Sequence, residues 1–139
     1  MPSKSSLAIN IAALLLILAP LAAQAQSKSW SWRYHFAGAC TTNIAVGPDN
    51  IIYAGAVDGA TRYLYAFRPE GALAWRVEVP NIRGVSVTPD NVILCSKYRT
   101  VAALNSRGEQ IWESEQTELP ISTPPAVDPD GTIVVANAY

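Results

Sequence analysis

Beyond residue 26 the apolar positions fall into short runs cut by Pro, Gly, Asp and Asn, and none recurs at helical spacing. Runs such as Tyr63-Leu64-Tyr65-Ala66-Phe67 and Val92-Ile93-Leu94-Cys95 carry the aromatic and β-branched side chains that suit a pleated, half-buried surface. Turn-forming residues bound each run, which predicts short antiparallel strands joined by tight turns. The pattern is that of an all-β protein.

The runs repeat. Pro48-Asp49-Asn50 recurs as Pro89-Asp90-Asn91 and as Pro129-Asp130-Gly131, at spacings of 41 and 40 residues. Each is preceded by a short apolar segment (Ile44-Ala45-Val46, Val85-Ser86-Val87, Pro125-Ala126-Val127) and followed by a longer one (Ile51 to Ala54, Val92 to Cys95, Thr132 to Ala136). Further along, Tyr63 to Phe67 corresponds to Thr100 to Leu104, and the stretch from Gly71 to Trp75 to that from Gly108 to Trp112. Trp32-Arg33 matches Trp75-Arg76 as the end of an earlier unit. One unit thus reads strand, Pro-Asp turn, strand, loop, strand, Gly turn, strand ending in Trp. Four short antiparallel strands per forty residues is the footprint of a propeller blade.

Within that frame Trp32, Trp75 and Trp112 are expected to pack between blades with each indole N–H on a nearby carbonyl. Pro48, Asp49, Pro89, Asp90, Pro129, Asp130, Gly71 and Gly108 are expected to shape the repeat turns, proline presetting φ and glycine supplying positive φ. Arg33 and Arg76 follow a repeat Trp, so strand alternation points them to the opposite side, toward solvent or a cross-strand ion pair.

The first 25 residues break the pattern. Lys4 and the amino terminus precede an apolar stretch, Leu7 to Leu18, interrupted only by Asn10; then come Pro20 and Ala23-Gln24-Ala25. This is the layout of a secretory signal helix cut after Ala25. It is shorter than the roughly 20 apolar residues that span a bilayer. No cysteine follows it closely enough to take a lipid, the nearest being Cys40. The chain therefore divides into a signal peptide, 1–25, and a repeat segment, 26–139, exported to the periplasm or the extracellular space, with no membrane span once the signal is removed.

Charge narrows the partners. Ten basic and eleven acidic side chains give a net charge of −1, and removal of Lys4 leaves −2, so no broad basic field exists to collect nucleic acid. Two cysteines suit an oxidising compartment, and a bridge between Cys40 and Cys95 would close a long loop worth about 4 kcal/mol. The alternative is that Cys95, in an apolar run, is an inert buried thiol.

Catalytic constellations are sparse. His35 is the sole histidine, and no serine sits in a nucleophile-elbow turn. Asp49, Asp90 and Asp130 recur because the turn recurs, which puts them on different blades rather than in an acid–base pair. The loop Asp128-Pro129-Asp130-Gly131 lacks the distal Glu of a calcium loop. Glu109, Glu113, Glu115 and Glu118 form an acidic run, read as a solvated strand and loop or as a face for a basic partner.

The runs Ala45-Val46-Gly47-Pro48-Asp49-Asn50-Ile51-Ile52-Tyr53 and Tyr63 to Phe67, with the Gly71 to Trp75 ending, resemble the blade pattern of the PQQ-like (pyrroloquinoline quinone enzyme repeat) β-propeller family. Val87 to Trp112 repeats the pattern in order. The resemblance covers roughly residues 30 to 139 and is specific to the blade type, not to a function. It implies a partial propeller: about two complete blades plus parts of others, too few to close a ring of about four to eight. The family includes periplasmic quinoprotein dehydrogenases and cofactor-free propellers that bind proteins. The expectation is an exported, non-catalytic binding or scaffolding segment of a larger propeller, without cofactor or metal in this segment. Its partner would be a protein, peptide or glycan, or the remaining blades. The alternative is the N-terminal part of a PQQ-dependent dehydrogenase, which would need PQQ and calcium.

Overall fold

A computed structural model describes residues 31–137; the expected signal peptide, 1–25, lies outside them. Ten strands are described. β1 (Cys40–Val46), β2 (Ile52–Asp58), β3 (Thr61–Phe67) and β4 (Leu73–Glu78) form one antiparallel sheet in chain order. β5 (Gly84–Val87), β6 (Ile93–Ser96), β7 (Val101–Leu104) and β8 (Gln110–Glu113) form a second. β9 (Ala126–Val127) and β10 (Ile133–Val134) begin a third. The expected two complete blades and a partial one are present, and the registers match: Ile44 pairs with Ala54 as Val85 does with Cys95, and Ala66 with Trp75 as Ala103 does with Trp112.

Five hairpins share one construction. They span Gly47–Ile51, Arg68–Ala72, Thr88–Val92, Asn105–Glu109 and Asp128–Thr132. In each, the first residue's N–H donates to the fifth residue's carbonyl at 2.8–2.9 Å, and the fourth residue's N–H donates to the first's carbonyl at 2.8–3.0 Å. The fourth position is always left-handed: Asn50, Gly71, Asn91, Gly108 and Gly131 have φ between 61 and 90°. Those are the residue types that accept positive φ at least cost. The second position is Pro48, Pro69, Pro89, Ser106 or Pro129, and proline's fixed φ suits the entry to such a turn. Asp49 and Asp130 add a side-chain acceptor for the N–H two residues on, at 3.1 and 2.9 Å.

Strand alternation gives each blade two apolar faces, and three cores result. Tyr53, Leu64 and Ala66 of the first blade meet Val85, Ile93, Cys95, Ala102 and Leu104 of the second, with Val79 and Ile82 of the β4–β5 connection between them. On the opposite side of the first blade, Tyr65 and Phe67 are covered by Trp32 and Phe36. Leu94, Val101, Ala103 and Ile121 form the second blade's far core, against Val127 and Ile133.

Two joints tie neighbouring blades. Along the first strands, Asn43 Nδ2 donates to the Val85 carbonyl (2.8 Å) while the Val85 N–H donates to Asn43 Oδ1 (3.0 Å), so one amide mimics a strand partner. The corresponding residue of the next blade is Gly84, where a Cβ would stand 2.6 Å from Pro124 Cα, so the third unit approaches through space that only glycine leaves open. At the outer edge the Trp75 ring lies against Gly108, and its Nε1–H donates to the Ser106 carbonyl at 2.9 Å. Trp32 does the same to the preceding hairpin, against Gly71 with Nε1–H to the Pro69 carbonyl at 2.8 Å. Trp112 stands at the same register position, beside Ala103, yet is 39% exposed. No Gly-cornered hairpin of a third blade lies against it among the described residues.

Candidate functional site at the variable end of the blades

Antiparallel order puts all five standard hairpins at one end of the sheets. The β2–β3 and β6–β7 hairpins, and the connections leaving β4 and β8, lie at the other end. This second end differs between blades. β2 and β3 run seven residues each and close through Gly59-Ala60, whereas β6 and β7 run four each and close through Lys97-Tyr98-Arg99-Thr100. Loops placed by a rigid scaffold are where recognition resides.

A shallow groove of about 370 Å³ opens here, bordered by Asn81 of the β4–β5 connection, the Lys97–Thr100 loop, and Glu113 and Gln116 beyond it. Its floor is held by backbone. The Tyr98 carbonyl accepts from the Ile121 N–H (2.9 Å), and the Arg99 carbonyl from the Thr117 N–H (2.8 Å). Asn81 is left-handed, at φ 59°, in the turn closed by the Ile82 N–H on the Val79 carbonyl (3.3 Å). Tyr98 is 45% exposed, and two guanidinium groups stand over its ring, Arg83 at 5.0 Å and Arg99 at 5.7 Å from the centroid.

One corner is neutralised internally. Lys97 Nζ donates to Glu113 Oε1 at 2.8 Å, and Thr100 Oγ1 donates to the same oxygen at 2.5 Å. These bonds, Lys97's first, hold the Glu113 carboxyl below its ordinary range. Arg99 lines the groove and Arg83 stands beside it over the Tyr98 ring, and neither guanidinium joins an ion pair among the described residues.

No family model matches the sequence, and no curated protein does. Among solved structures, the chain is similar to a gluconolactonase from Xanthomonas campestris, with TM-score 0.53 and 20% identity over 69% of this chain and 34% of that one. The fold is a propeller. At that identity the likeness speaks to the arrangement of propeller blades and does not single out the PQQ-like repeat. The chain spans about a third of that neighbour's length.

The residues picked out from the sequence scatter over this propeller segment. The turn residues lie at the standard end, on separate blades. Trp32 and Trp75 occupy joints, and Trp112 stands 39% exposed. Cys40 and Cys95 are both free, so the possible bridge is absent: Cys40 is exposed at the start of β1, where it pairs with Ala56, whereas Cys95 is buried in the core between the first two blades. Burial pushes the Cys95 thiol up to about 12. His35 is exposed between Tyr34 and Phe36, whose rings pack on Tyr65 and Phe67. Arg76 does turn away from the Trp75 side; it pairs with Asp58 at 2.9 Å and lies over the Tyr63 ring at 4.6 Å. Of the acidic run, Glu109 binds Arg107 at 2.8 Å and Glu113 binds Lys97, so two of its four charges are met locally.

The groove's Asn81, Tyr98 and Arg99, and Arg83 over the tyrosine, are not apparent from repeat matching. Their signal is the mismatch itself: aligned units differ most at Lys97-Tyr98-Arg99-Thr100, where cations flank an aromatic ring.

Proposed function

We propose that this chain is an exported, non-catalytic segment of a PQQ-like propeller that binds a partner through its variable end. The observation carrying this reading is the division between the two ends. One is spent on five hairpins of identical construction, while the other bears blade-specific loops and the groove lined by Tyr98 and Arg99, with Arg83 over the same tyrosine. The indole-on-glycine joints at Gly71 and Gly108 support the PQQ-like assignment, because they are where the quoted blade motif ends. Export rests on the layout of residues 1–25, and the rest of the ring would come from further blades.

The dehydrogenase alternative needs a quinone with calcium. Its cofactor site would be carried by further blades, since Asp49 and Asp130 are committed to their own turns.

The test is site-specific photocrosslinking of the tagged chain in an exporting host, with the photoreactive residue at Tyr98 or at Pro89. Adducts from position 98 alone are expected. Adducts from position 89 alone, or equally from both, refute binding at the variable end. Quinone-dependent alcohol oxidation by the chain supplied with PQQ and calcium would overturn the non-catalytic reading.

A further inference from the structure

Arg99 lines the groove and Arg83 stands beside it, both exposed and both over the ring of Tyr98, which leaves their N–H edges free to meet planar anions. A guanidinium edge matches a carboxylate with two parallel hydrogen bonds, and stacking on an aromatic ring fixes the fork before the ligand arrives. Two forks held on the one ring of Tyr98 give two carboxylate receptors around a single side chain, which suits a chain that repeats its carboxylates. The neutral amides of Asn81 and Gln116 border the same groove and pair with hydroxyl groups. The groove is shallow and has no closed apolar pocket of the kind that seats a peptide's anchoring side chain. Its volume of about 370 Å³ lies at the small end of ligand sites.

We propose that the groove binds an acidic oligosaccharide of the uronate class, with Arg83 and Arg99 each taking a carboxylate and Asn81 and Gln116 taking ring hydroxyls. Glu113 does not repel this ligand, because Lys97 already neutralises it at 2.8 Å. The inference deepens the binding reading above and rests on it.

The experiment is calorimetric titration of the 139-residue chain with trigalacturonate, its methyl ester, triglutamate and inorganic phosphate. Exposed charge pairs are individually weak, so a Kd of about 0.1–1 mM is expected for trigalacturonate, with the ester at least about tenfold weaker. Arg83→Gln and Arg99→Gln should each weaken binding about fivefold, and Arg99→Lys, which keeps charge but loses the fork, by less. All three should melt at the wild-type temperature, because neither arginine is in a structural ion pair among the described residues. The proposal is overturned if the ester binds as tightly, if triglutamate or phosphate binds as tightly or tighter, or if both glutamine variants bind like wild type. If trigalacturonate does not bind while crosslinks at position 98 persist, the uronate falls and the binding segment stands. If it binds as described while crosslinks arise only from position 89, the variable end serves the uronate alone and a protein partner docks on the standard end.

Discussion

The joint between Trp75 and Gly108 sets a quantitative test of how the blades are held together. A Cβ at Gly108 would stand 3.0, 3.1 and 3.2 Å from Cζ3, Cε3 and Cη2 of Trp75, and the backbone there has φ +81°. Gly108→Ala therefore combines a left-handed alanine, costing about 1–2 kcal/mol, with a ring that must shift by a few tenths of an ångström. The ring is not free to do so, because its Nε1–H is tied to the Ser106 carbonyl at 2.9 Å. Overpacking of this kind adds about 1–3 kcal/mol. Gly59 separates the two contributions: its φ is +64° and a Cβ there meets nothing within 4 Å. Gly59→Ala should cost about 0.5–1 kcal/mol, the backbone strain less the entropy lost from the unfolded chain, and Gly108→Ala about 2–4 kcal/mol. Gly71→Ala should exceed both, since its Cβ would fall 2.6 Å from two Trp32 ring atoms. Urea unfolding followed by tryptophan fluorescence measures all three. Trp75→Leu vacates the contested space, so in a double-mutant cycle it should recover about 1–3 kcal/mol of the Gly108→Ala penalty. If Gly108→Ala costs no more than Gly59→Ala, or the cycle shows no coupling, the indole is not a tight joint and this account of blade packing is wrong.

Three further outcomes concern an amide joint, a buried thiol and a paired carboxylate. Asn43→Leu leaves both backbone groups of the fully buried Val85 without a partner; it should cost about 2–4 kcal/mol in urea, with Asn43→Asp in between because only the donor is lost. Thiol labelling of the native chain at pH 8 should modify Cys40 quickly and Cys95 only on unfolding, because a thiol pushed up to about 12 is almost wholly protonated there; two equally fast thiols, or none, would contradict it. The Glu113 carboxyl has a folded pKa below its ordinary 4.5, so its contribution is complete above that value and is lost as pH falls through the folded one. Glu113→Gln should therefore lower stability at pH 7 by up to about 1 kcal/mol, and acid melts in which the gap failed to narrow would disprove the link.

The propeller architecture was legible because each blade states it several times. The Pro48, Pro89 and Pro129 turns and the Trp-ended strands recur in register, and each copy independently predicts a hairpin or an outer strand. The Gly71 and Gly108 hairpins, read from the sequence as the same kind of turn, match the Pro-Asp turns bond for bond, with Asn and Gly exchanging at the left-handed position. The Asn43–Val85 joint was hidden, because its counterparts are Gly84 and Pro124 and the three share a place without sharing a chemistry. The disulfide stayed open for a related reason: sequence separation says nothing of facing, and one thiol is exposed in the first blade while the other, on the second blade, is buried in the core the two share. The groove escaped repeat matching because it occupies the place where the repeat fails.

That failure of the repeat separates two kinds of residue. A blade must meet its neighbours wherever it lies in the ring, so groups that build joints are constrained by the backbone they touch: Trp75 by a glycine corner, Asn43 by both backbone polar groups of Val85. Groups at the variable end carry no such duty. Arg83 and Arg99 make no ion pair among the described residues, and their guanidinium groups stand over the ring of Tyr98. Stability accounts for the first set and not for the second. Two unneutralised guanidinium groups held over one half-exposed tyrosine add little to folding, whereas two fixed forks are what an anionic ligand requires. Removing them should therefore leave the melting temperature in place and take binding away, the reverse of what substitution at Gly108 or Asn43 should do.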